Sequence, residues 1–141
     1  MSRFCVSERI PRPVEEVWAF VTDFAGAPRW MRAVDRMWVD GAGPVGEGTS
    51  LVFESRGAER RCVVSAWEPT RRLALRSTQG GVTATYVYGF EAEGSGTRVE
   101  LEAIYEFRGA IRLVAPLIGW LVRRTDGGQL RALAATMQDS P

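Results

Sequence analysis

The 141-residue chain has no histidine, no lysine and no asparagine, so all 18 of its basic residues are arginine. Without histidine there is no imidazole base, no His metal ligand, and no Ser-His-Asp or Cys-His nucleophile pair. Without lysine there is no Schiff-base amine and no phosphate-loop lysine. A GC-rich coding sequence is enough to account for the bias toward arginine, and the chemical exclusion stands whatever its origin. Cysteine is equally scarce: Cys5 and Cys62 lie far apart with no CxxC spacing. They indicate neither a zinc site nor a disulfide framework, and predict two reduced, buried thiols. No metal and no cofactor is expected. Long apolar runs are also missing. The opening MSRFCVSERI lacks the apolar core of a secretory signal, and the longest apolar run, 113–122, is far short of the roughly 20 residues that cross a bilayer. The expectation is a cytoplasmic protein with no stable membrane insertion. A net charge of +1 gives no reason to expect a nucleic-acid partner.

What is present describes a globular domain. Hydrophobic residues make up 45% and charged residues 25%, and the length predicts one domain over 1–141 able to bury a core unaided by staples. Residues 3–10 alternate, with Phe4, Val6 and Ile10 on one face and Arg3, Ser7 and Arg9 on the other, as in a half-buried strand. From Pro13 the period becomes helical: Val14, Val17, Trp18 and Val21 form a stripe, and Glu15 and Glu16 suit the positive N-terminal end. Asp23 is placed to cap a second short helical turn ending near Trp30 and Met31. Strand patterns follow over 34–40, 47–56, 59–68, 71–78, 82–93 and 97–107, separated by short turns that specify antiparallel hairpins.

The last of these strands is the clearest. Val99, Leu101, Ala103, Tyr105 and Phe107 share one face, with Arg98, Glu100, Glu102 and Glu106 on the other. Its neighbour sets Ala84, Tyr86, Tyr88 and Phe90 against Thr83, Thr85 and Glu91. One sheet face is therefore apolar and aromatic and the other wet. A helical period returns from Gly109 to Gln138, broken by Pro116 and by Gly127-Gly128, with 129–138 its most regular part. The order predicts an α+β fold: about seven curved antiparallel strands (β-α-α-β6-α) around a long C-terminal helix.

This order, with the opening IPRPVEEVWAFVTDFAGAPRWMRAV, the Gly46-Glu47-Gly48-Thr49 turn, Trp67-Glu68-Pro69 with Arg72-Leu73, and the segment RLVAPLIGWLVRRTDGGQLRAL, resembles the START-like helix-grip superfamily of the SRPBCC type. The resemblance spans essentially the whole chain and points to the polyketide cyclase/dehydrase-like branch. It implies a cavity between sheet and C-terminal helix, and a function as carrier, sensor or aromatase/cyclase.

Trp30, Phe53, Tyr86, Tyr88, Tyr105 and Phe107, with Ile118 and Leu121 from the C-terminal element, are the expected ligand-binding set, offering flat apolar walls with phenol hydroxyls. A solid aromatic core is the plain alternative. No catalytic residue stands out; Asp35, Arg36 and Glu54 lie on strands whose facing the pattern leaves open, and Arg60-Arg61 and Arg71-Arg72 read as solvated turn charges. The leading expectation is a binder of a small hydrophobic or aromatic ligand. A polyketide cyclase/aromatase/dehydratase-like enzyme is the second reading. The third is a lipid-handling protein docking on membranes through 113–122, which Arg108, Arg112, Arg123 and Arg124 flank. A homodimer is left open, and residues 110–128 are the expected gate for ligand entry.

Overall fold

The computed structural model describes residues 2–31, 34–109, 113, 116 and 128–139. In chain order the elements are β1 (Ser2–Ile10), α1 (Val14–Thr22), a 3-10 helix (Phe24–Arg29), β2 (Arg36–Val39), β3 (Ser50–Ser55), β4 (Ala58–Glu68), β5 (Arg72–Gln79), β6 (Val82–Glu93), β7 (Gly96–Phe107) and α2 (Gln129–Asp139). Strands pair antiparallel throughout in the order β1-β7-β6-β5-β4-β3-β2, which is the expected curved, seven-stranded α+β arrangement. The expected gate and the continuity of the helix around Pro116 and Gly127-Gly128 fall on a stretch of which only 113, 116 and 128 are described, and Ile118 and Leu121 lie outside the described residues.

Hairpin chemistry sets the register. Arg56 and Gly57 occupy the turn between β3 and β4 with φ of 54° and 75°, the double left-handed conformation that matches strand twist in a two-residue loop. Glycine enters that region freely, whereas Arg56 is held there by the pairing of Ser55 with Ala58 on either side. In α1 the Pro13 carbonyl accepts from the N–H groups of Glu16 and Val17 at 3.0 and 3.1 Å, so the helix starts directly after the proline. Asp23 does not cap the 3-10 helix; its carboxylate lies 3.2 Å from Arg29 Nη2 instead. A guanidinium within reach outcompetes the backbone donors for that carboxylate.

The pairings lay the inner face of the sheet out in rows. Nearest the β3–β4 turn, Phe53 faces Arg60 across β3 and β4, and Gln79, Val82 and Phe107 continue the row over β5, β6 and β7. The next row holds Leu51 and Cys62, then Ser77, Ala84 and Tyr105. Val64, Leu75, Tyr86, Ala103 and Phe4 follow. Beyond them come Trp67, Leu73, Tyr88, Leu101 and Val6, and finally Phe90, Val99 and Glu8.

Trp67 reaches the inner face through a β-bulge. Val64 pairs with Leu75 but Ala66 pairs with Ala74, so the extra residue Ser65 shifts the alternation by one and Trp67 joins Leu73 on the inner side. There its ring meets Trp18 of α1 at 5.1 Å, and Trp18 meets Phe90 at 5.3 Å, both edge to face.

α2 packs on β1 and β7, and α1 on β6 and β7, while the 3-10 helix lies on β2. α2 buries Leu130, Leu133, Ala134 and Met137, the stripe its spacing predicts. Two polar ties hold it in place: Thr136 Oγ1 donates to the Arg29 carbonyl at 3.0 Å, and Arg12 Nη2 donates to that of Met137 at 3.2 Å.

The outer face carries the charges. Arg3–Glu102, Arg36–Glu54, Arg61–Asp40 and Arg98–Glu100 pair at 3.7, 3.5, 2.5 and 3.5 Å. Being exposed, each contributes about 1 kcal/mol or less. Thr83 lies on the outer face as expected but is buried, its hydroxyl 3.0 Å from that of Thr78 across the hairpin. Cys5 is exposed, correcting the expectation of two buried thiols, because it alternates outward from Phe4 and Val6; Cys62 is buried as expected.

Candidate functional site

The described members of the expected ligand-binding set all belong to the inner side, but they do not share one environment. Trp30 and Tyr88 are nearly inaccessible, at 1% exposure each, with their rings edge to face at 5.9 Å. Tyr88 donates its hydroxyl to Gln129 Oε1 at 2.7 Å, tying β6 to the first residue of α2. Tyr105 and Phe107 are buried with Phe4 and Ala103 in a second apolar group. Tyr86 packs against both this group and the main core; its ring stands edge to face with Tyr105 at 6.0 Å and its hydroxyl accepts from Tyr105 Oη at 3.2 Å. Phe53 is half-buried at the β3 end of the face.

A pattern emerges along the rows. In the two rows nearest the β3–β4 turn, Phe53, Arg60, Gln79, Val82, Ser77 and Ala84 are only half-buried, as is Tyr86 beyond them, beside the buried Leu51, Cys62, Tyr105 and Phe107. In the far rows Leu73, Tyr88, Leu101, Phe90 and Val99 are buried, and Trp67, Val6 and Glu8 at the row ends are half-buried. The open part is a floor that mixes apolar surface with the phenol of Tyr86, the guanidinium of Arg60, the amide of Gln79 and the hydroxyl of Ser77.

Of these polar groups, Arg60 runs against the sequence reading. It is no solvated turn charge: it pairs with Phe53, shares the inner face with Cys62, and donates from Nη1 to Gln79 Oε1. Its neighbour Arg61 points outward to Asp40. The signal was available in the alternation of Arg60 with the apolar Cys62 and Val64. Conversely, Arg36 and Glu54 form an ion pair on the outer face, and Asp35 is exposed, so none of the three reaches the inner face. The row of Met37 with Phe53 turns inward, which forces Arg36 and Glu54 outward.

Sequence reasoning also missed Glu8. It continues the inward series Phe4, Val6 and Ile10, opposes Val99, and is half-buried at the closed end of the face. The Val99 and Phe107 rows are eight residues apart on β7, about 26 Å at strand rise. Glu8 and Arg60 therefore do not form an acid–base pair. Cys62, beside the floor, is kept protonated: burial pushes its thiol from 9.0 to about 11, and an inert packing role follows. Among the described residues no group of His, Cys, Asp and Glu is placed to hold a metal, and no helix is long and apolar enough to cross a membrane. Trp30 Nε1–H is buried and has no acceptor among the described residues. On the outer face, a hollow of about 150 Å³ lined by Arg71, Gly89, Glu91, Arg98 and Glu100 is polar and carries both signs of charge.

A curved antiparallel sheet gripping a C-terminal helix, with a partly open inner floor, defines the helix-grip class. The chain belongs to the family described as polyketide cyclase / dehydrase and lipid transport, whose profile matches residues 1–138. Solved structures share the fold. TTHA0849 from Thermus thermophilus is 22% identical, with a TM-score of 0.74 over 99% of this chain and 100% of that one. A START superfamily protein from Mycobacterium smegmatis is 15% identical, with a TM-score of 0.71 over 96% of this chain and 93% of that one. The di-domain ARO/CYC BexL from the BE-7585A biosynthetic pathway is 16% identical, with a TM-score of 0.80 over 98% of this chain and 47% of that one, so this chain spans about half its length. No curated protein matches by sequence.

Proposed function

We propose that the protein binds a small apolar or aromatic molecule on the open floor of the inner face, between the sheet and α2. The observation that carries this reading is that Phe53, Val82, Ala84 and Tyr86 are only half-buried on a face whose far rows hold the buried Leu73, Tyr88, Leu101, Phe90 and Val99. Apolar side chains left accessible inside a concave sheet are the usual makings of a ligand pocket. The linked hydroxyls of Tyr86 and Tyr105 supply a fixed polar handle. Family membership supports a hydrophobic ligand. It also supports a second reading, cyclase-like catalysis by holding a reactive chain in a set shape, for which the floor offers hydrogen-bond donors but no acid–base pair. We place the protein in the cytoplasm as a single domain. Of the run 113–122 that membrane docking would use, only Leu113 and Pro116 are described, and both are exposed, in keeping with that third reading.

The test is a saturable titration with the uncharged dye Nile red, read by fluorescence and by melting temperature, which a bound ligand raises by mass action. Ala84 is half-buried, so Ala84→Leu should project into the floor and lower dye affinity about tenfold or more with little change in the melting temperature of the free protein. Tyr88 serves poorly for this purpose, since it is buried and bonded to Gln129. Absence of saturable binding, or binding indifferent to Ala84→Leu, would sink the proposal.

A further inference from the structure

From the position of Arg60 we infer that the ligand is an acid: an apolar molecule ending in a carboxylate, which Arg60 binds at the rim of the floor. This rests on the ligand-binding reading above and gives it a chemical class. Five of the seven exposed arginines of the sheet, Arg3, Arg9, Arg36, Arg61 and Arg98, lie beside a carboxylate, and the other two, Arg72 and Arg76, face solvent on β5. Arg60 is half-buried on the opposite face, and among the described residues no carboxylate pairs with it.

Its hydrogen-bond partner on that face is a neutral amide. Gln79 Oε1 takes a single donor of a guanidinium that has five, and it fixes the plane of the fork without neutralising its charge. A partly desolvated cation with one edge engaged in this way and donors to spare suits a bidentate carboxylate. The closest inner-face carboxylate by register, Glu8, sits at the far end of the sheet.

The surroundings of Arg60 are asymmetric in a way that orients the molecule. Phe53 flanks it on β3, and Val82 and Phe107 continue its row. From Val82 the floor runs along β6 past Ala84 to Tyr86, four residues or about 13 Å at strand rise. A ligand held by its carboxylate at Arg60 therefore lays an apolar body over Ala84 and brings its far end to the Tyr86–Tyr105 hydroxyl pair. Head and body are recognised by separate groups, so an acid and its neutral ester should differ only in the contact to Arg60.

The experiment titrates 11-(dansylamino)undecanoic acid and its methyl ester into the wild type, Arg60→Gln and Arg60→Lys at pH 7 and low salt. The acid should bind the wild type roughly 10- to 100-fold more tightly than the ester, as expected for one charge-assisted pair. Arg60→Gln should bring the acid down to the affinity of the ester, weakening the ester far less than the acid, and Arg60→Lys should restore part of the preference. Added salt should narrow the gap because the site is half-exposed. Equal binding of acid and ester by the wild type overturns the inference while leaving the apolar-ligand reading standing. Equal weakening of both by Arg60→Gln also overturns it, by showing a structural role for Arg60. Failure of both molecules to bind overturns the inference and the underlying reading together.

Discussion

The two ends of the inner sheet face are built from the same residue types and behave as different materials. At the closed end Trp18, Trp67 and Phe90 interlock edge to face over Val99 and Leu101, with helix α1 laid on top. At the open end Phe53, Ala84 and Tyr86 are left partly accessible among Arg60, Ser77 and Gln79. Aromatic content does not separate a core from a binding floor. What separates them among the described residues is the helix α1 laid over one end and the polar side chains that share the rows of the other. The closed end carries stability, because sealed aromatics contribute transfer and packing energy together. The open end leaves that energy uncollected until a ligand supplies the missing surface.

Substitutions put this division to the test, and the largest effect should come from the closed end. Trp18→Ala removes the ring shared by both edge-to-face contacts and should lower stability by about 3–5 kcal/mol in denaturant titration; a loss below about 1 kcal/mol would erase the distinction. At the boundary, Cys62 gives a pH-dependent readout. Its thiol loses its proton at about 11 in the folded protein and at 9.0 when solvated. Above pH 9 the unfolded chain therefore sheds a proton that the folded one retains, and stability falls as pH rises from 9 to 11, with nothing lost below. The advantage of the wild type over Cys62→Ala should shrink across that window by about 3 kcal/mol at most. At pH 7 a disulfide reagent should titrate one thiol, Cys5, until the protein unfolds.

Smaller effects follow. Tyr88→Phe leaves Gln129 Oε1 without its 2.7 Å donor and should lower stability by about 1 kcal/mol, with faster hydrogen exchange in the first turn of α2. Ala84→Leu at the half-buried floor should cost far less than Trp18→Ala, about 1 kcal/mol or less. If Ala84→Leu proves as damaging as Trp18→Ala, the floor is not open.

How far the sequence discloses this division varies with strand length. β6 and β7 are twelve residues each, long enough for alternation to assign every face, and the placing of Tyr86, Tyr88, Tyr105 and Phe107 inside follows from that alone. β2 has four residues, too few to reveal a period, so the outward facing of Arg36 emerges only from its pairing with Glu54. Arg60 and Glu8 are hidden by their charge. Their position in an apolar series points inward, while composition argues for solvent, and the structure sides with position. Which aromatics are sealed and which stay open is not readable at all, because it depends on where α1 and α2 land on the sheet. Ile118 and Leu121 lie outside the described residues and add nothing to the comparison.

The bulge at Ser65 gives β4 a tolerance to one kind of genetic change that strands ordinarily lack. Loss of the single Ser65 codon would leave Val64 opposite Leu75, Ala66 opposite Ala74 and Trp67 opposite Leu73, the same pairs in plain alternation, with Trp67 still facing inward. One codon lost from the middle of β5, which has no such spare residue in its pairing with β6, would instead exchange the faces of everything on one side of the cut. A lineage could therefore shorten β4 at Ser65 and inherit the same inner face, whereas an equal deletion one strand away would turn that face inside out.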